Sequence, residues 1–122
     1  MAAEITITGS IAVLKSSVSR TWTTSAYTID WTTAKFHNPI QTVGTSEETV
    51  DFGDISTEGV FWAKNHDAAN YVDWGPDSTG MVAVGRIKAG ETVGPFRIKP
   101  GVVLKAQADT ADCEVEFLLL AD

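Results

Sequence analysis

One cysteine, Cys113, is all the chain has, so no internal disulfide is available and stability must come from core burial or from assembly. Long apolar runs are missing too. The longest, Phe117 to Ala121, is far short of the roughly 20 residues that cross a bilayer, so no membrane partner is expected. Met1 to Thr8 has no basic segment followed by an apolar core, so a secretory leader is not expected, nor passage through a membrane by that route. Positive charge is sparse and scattered over Lys15, Arg20, Lys35, Lys64, Arg86, Lys88, Arg97, Lys99 and Lys105. A surface that tracks phosphates needs its cations clustered, so no nucleic-acid partner is expected. The net charge of −7 reads first as solubility.

Catalytic patterns are equally thin. No glycine-rich phosphate loop follows a strand and opens a helix, and no H-x-x-H or H-E-x-x-H spacing sets ligands on one face. His37 and His66 fall in expected loops and read as solvated. Asp51, Asp54 and Glu58 surround Gly53, with Asp67, Asp73 and Asp77 further on, but neither set has the alternating oxygen ligands of a calcium loop. They read as turn-forming carboxylates. Cys113 sits on the apolar parity of a strand and reads as a buried core thiol. The expectation is a protein that is not an enzyme, with no catalytic, cofactor-binding or metal-binding residues and no cofactor.

What the chain does have is alternation. Ile5, Ile7, Ile11 and Val13 share one parity across Glu4 to Leu14, with Gly9 able to bend or bulge the strand. Tyr27, Ile29 and Trp31 share a face in Ser25 to Thr32, and Val50 and Phe52 repeat the pattern. Cys113, Val115, Phe117 and Leu119 do the same, with Glu114 and Glu116 opposite. Val60–Lys64, Tyr71–Trp74, Met81–Ile87, Pro95–Lys99 and Val102–Ala108 complete about nine or ten short strands separated by Gly, Pro, Asn and Asp turns. No segment holds a helical stripe. The fold expected is all-β: one antiparallel β-sandwich domain over residues 1–122, jelly-roll-like.

Aromatics are abundant for the length. Trp31 shares the parity of Ile29 and Trp74 that of Val72, so each reads first as core or protein interface. Trp22, Trp62, Trp74 and Tyr71 are the candidates for an interface, or for a glycan-facing platform.

Two strings, Gly44–Ile55 (GTSEETVDFGDI) and Gly59–Gly75 (GVFWAKNHDAANYVDWG), resemble a group of small structural proteins of tailed bacteriophages. The later Arg86–Glu91 turn and the apolar-acidic strand Val115–Asp122 continue the likeness over about the last two-thirds of the chain, with Glu4–Thr8 matching more loosely. The resemblance implies a virion-associated β-domain, a head decoration or cement protein that binds the outer capsid shell and stabilises it. Its partners would be the major capsid protein and further copies of itself, a trimer being suggested by the threefold positions of shells. It would be made in the host cytoplasm and reside on the capsid exterior. Alternatives are a neck or tail structural protein, or a carbohydrate-binding head-fibre or receptor-binding module. The resemblance supplies no site residues.

Overall fold

The computed structural model describes residues 4–122; residues 1–3, part of the stretch read above for a leader, lie outside them. Every regular element among the described residues is a strand: β1 (Ile5–Lys15), β2 (Val18–Ile29), β3 (Phe36–His37), β4 (Ile40–Val43), β5 (Glu48–Thr49), β6 (Glu58–Asn65), β7 (Val72–Pro76), β8 (Gly85–Ile87), β9 (Thr92–Arg97), β10 (Leu104–Ala108) and β11 (Cys113–Ala121). All pairings are antiparallel. The chain divides into two compact units, Met1–Thr32 and Thr33–Asp122.

The second unit is a β-sandwich. One sheet runs β3-β11-β6-β9, with β4 continuing the β3 side of β11; the other runs β5-β10-β7-β8. The parity of β11 comes out as read, with Cys113, Val115, Phe117, Leu119 and Ala121 buried and Glu114 and Glu116 turned outward. Facing them from the second sheet are Val72, Ile87, Leu104, Ala106 and Ala108. Phe61 centres an aromatic group, its ring 5.9 Å from Trp74, 5.8 Å from Phe96 and 6.1 Å from Phe117. Tilted pairs at such distances add to the area they bury.

Strand edges in this unit are blunted. β5 and β8 have two and three residues, and Asn38-Pro39 interrupts the β3–β4 edge. On the β9 edge, Gly94 (φ 83°) and Pro95 stand opposite Trp62 alone, a bulge at which Pro95 also lacks a donor. Several details differ from the sequence reading, strand bounds among them. Val50 and Phe52 lie just outside β5, although Val50 is buried. His37 belongs to β3 and not to a turn, and Met81 to Val84 precede β8 as irregular chain.

The loop from Asn65 to Tyr71 forms as its composition suggests. Asn65, fully buried, donates from Nδ2 to the carbonyls of Asn70 (2.9 Å) and Ile87 (3.0 Å) and accepts the Asp67 N–H on its own oxygen (2.9 Å). The Asp67 carboxylate accepts from the N–H groups of Ala69 and Asn70. Short polar side chains thus replace a regular ladder at the turn.

Candidate interaction surface

The first unit is a two-stranded ribbon, and its pairing defines two unlike faces. Side chains directly opposite each other in an antiparallel pair point the same way. Ile5 faces Ile29, Ile7 faces Tyr27, Ile11 faces Trp22 and Val13 faces Arg20, all on one side. The other side holds Thr6 with Thr28, Ser10 with Thr23, Ala12 with Thr21 and Leu14 with Ser19. The ribbon is therefore amphipathic. Near its base Ile7 is buried, but further out the apolar side meets solvent: Ile11 is 65% exposed, Val18 53%, Trp22 49% and Tyr27 44%.

A bulge makes that face continuous. Tyr27 and Trp22 are five residues apart and would point to opposite sides of a regular strand. Between the pairs Ile7–Tyr27 and Gly9–Thr24, Thr8 alone opposes Ser25 and Ala26, and the extra residue returns Trp22 to the side of Tyr27. The same switch of parity conceals Val18 to Thr24 in the sequence. The expected strand began at Ser25 and ran to Thr32, whereas β2 covers Val18–Ile29 and Trp31 lies beyond it. The face that Tyr27 shares with Ile29 is open at this position, Tyr27 being exposed. Val18, Arg20 and Trp22 were missed as a set; even spacing before a switch to odd spacing was the available signal. At the tip Ser16 takes a left-handed φ of 51° in a two-residue turn.

The four candidate aromatics do not share one environment. Trp22 belongs to the ribbon, with the Arg20 guanidinium 4.9 Å from its ring centre. Trp74 packs into the sandwich core, stacked on Phe96 at 6.0 Å, and its indole Nε1 is buried with no hydrogen-bond partner. Trp62 points outward from β6 opposite Leu118 and is half-buried. Tyr71 lies under Arg86, whose guanidinium carbon sits 3.7 Å from the ring centre and whose nitrogens donate to both oxygens of Asp73, at 2.7 and 3.1 Å.

The titratable groups are occupied in holding loops. His66 Nε2 lies 2.9 Å from Glu116 Oε1; that contact, with a donor from Asn38, holds the Glu116 carboxyl below its ordinary range. The Gly53 N–H, then the His37 ring 3.2 Å away, do the same for Asp51. Both histidines, read as solvated loop residues, are thus partly exposed and paired with a carboxylate. A cleft of about 440 Å³ lies over Asp51, Phe52, Glu58 and Val103, but Glu58 already accepts the Gly101 N–H at 2.7 Å. Cys113 is buried, and that burial pushes its thiol pKa up. Among the described residues no group of three or more His, Cys, Asp or Glu side chains is placed to hold a metal ion.

No protein-family model, curated protein or solved structure matches the chain.

Proposed function

We propose that this protein is a structural component of a tailed-phage particle, a decoration protein that binds the outside of the capsid shell and stabilises it by protein contacts. The observation that carries the reading is the exposed apolar side of the β1–β2 ribbon. A two-stranded hairpin is marginal in water, and one with Ile11, Val18, Trp22 and Tyr27 open to solvent is completed by assembly, with further copies of the chain or with the shell. The likeness of residues 44–75 and of the C-terminal strand to phage structural proteins supplies the setting.

The body supports the reading from its winding. Counting β3 and β4 as one interrupted strand, the sandwich has two four-stranded sheets, and every connection except β7 to β8 passes between them. We read this as a jelly roll, an architecture used by viral capsid and lectin domains among others. Fold alone does not fix function, so the ribbon bears the weight. Exposed Phe36 and Ile40 on β3–β4 offer the sandwich a further apolar contact of its own. Modest contacts repeated over a symmetric shell attach strongly through avidity.

Quantitative mass spectrometry of purified particles tests the proposal. Hundreds of copies per particle are expected. A dozen or fewer would place the chain at the neck or tail, and absence from the particle would sink the virion reading altogether.

A further inference from the structure

We infer that the apolar side of the β1–β2 ribbon is covered by the same side of a second copy, the two ribbons lying antiparallel about a twofold axis. The inference rests on reading the ribbon as an assembly surface; the virion setting does not enter it.

Charge selects this occupant and this orientation. From Ile5 to Ile29 the only charged side chains are Lys15 and Arg20, and both lie on the apolar side at the tip, Lys15 opposite Val18 and Arg20 opposite Val13. Glu4 and Asp30 flank the base, with Glu4 accepting the Trp31 N–H at 3.3 Å. The ribbon is thus neutral overall but cationic at one end and anionic at the other, while the entire net charge of −7 lies on residues 33–122. Two ribbons laid tip to tip would press four cations together. Laid tip to base, the two cationic tips lie at opposite ends of the pair, each at the end where the partner carries its Glu4 and Asp30, so like charges part. A threefold arrangement with tips together would gather six cations and is disfavoured for the same reason.

Size and shape agree. Strands of 11 and 12 residues form a ribbon about 35 Å long at ~3.3 Å per residue, with a face roughly 10 Å wide. Two such faces closed on each other hide roughly 700 Å² of flat area, and side-chain relief brings the total to the order of 1,000 Å², where specific contacts begin. An isologous contact needs a self-complementary patch, which a row of Ile11, Val13, Val18, Trp22 and Tyr27 provides. The blunted sandwich edges direct association to the ribbon.

Sedimentation equilibrium of the full chain tests this. A dimer, twice the 13.1 kDa chain, is expected in the micromolar range and should weaken as salt rises. The double variant Ile11→Thr/Trp22→Thr, which keeps strand-favouring residues, should shift the dimer constant at least tenfold towards monomer without lowering the melting temperature of the sandwich. Arg20→Glu alone should weaken the dimer with no apolar residue changed. Spin labels on Ser17→Cys report the orientation, because Cys113 is buried: the labels should lie about 35 Å or more apart, and a separation under ~20 Å would mean adjacent tips. A monomer at all concentrations, a trimer, or a dimer indifferent to both variants would overturn the inference. A monomeric chain that still bound particles would remove only the twofold pairing and leave the decoration reading standing.

Discussion

Single residues in the sandwich carry unequal weight, and the geometry says which. Asn65 donates from the buried interior to both Asn70 O and Ile87 O. Replacing it with Leu leaves the buried Ile87 carbonyl and the part-buried Asn70 carbonyl without that donor, and the expected loss is about 2–3 kcal/mol in urea unfolding. Trp74 is the reverse case, a large ring whose polar atom is unpaired. Trp74→Phe should be close to neutral, because it removes an unsatisfied N–H, whereas Trp74→Ala should cost about 3 kcal/mol through the cavity beside Phe61 and Phe96. At low pH the carboxylates decide. The folded state holds Glu116, Asp51 and Asp67 below their ordinary values of 4.5, 3.8 and 3.8. Their contribution is therefore complete above about pH 4.5 and is lost as the pH falls through the lowered folded values. Melting temperature followed from pH 6 to pH 2 should drop on the acid side, and Glu116→Gln should shallow that limb. The effect is small, since all three groups keep contact with solvent that screens them.

At the scale of elements, β11 was the most legible part of the chain and the ribbon the least. In β11 a clean period of two, Cys113-x-Val115-x-Phe117-x-Leu119, coincides with what the sandwich buries. The strand lies between β6 and the β3–β4 edge, so both faces of its backbone are engaged. Hydrogen exchange should accordingly be slowest at β11 and β6; faster exchange there than in β5 or β8 would contradict the assignment of the core. The ribbon was obscured by two local features. Ser16-Ser17 turns the chain without the Gly, Asn or Asp that mark such a turn in sequence, and the Ser25–Ala26 bulge resets the parity. Alternation also cannot tell a face covered by a second sheet from one left open, so the shared face of Tyr27 and Ile29 did not reveal that Tyr27 is exposed. The candidate aromatics divide along the same line. The parity of Trp74 with Val72 left core and interface open, and the ring packs against the sandwich core, while the partner of Trp22 across the strand, Ile11, became visible only through the register.

On the scale of the whole molecule, an acidic sandwich with blunted edges and a neutral, amphipathic ribbon divide two roles between them. The sandwich has the core and can stand by burial, as a chain with one buried thiol must. The ribbon has the surface that asks for a partner. The proposed decoration role needs both properties, a body that resists casual aggregation and an element that is completed by assembly. A cryo-EM map of the particle proposed to carry the chain tests this most directly. The account predicts density for the sandwich on the outer surface of the shell in hundreds of copies, with the β1–β2 ribbon enclosed by protein. Density confined to the neck or tail, or a ribbon standing uncovered in solvent, would contradict it.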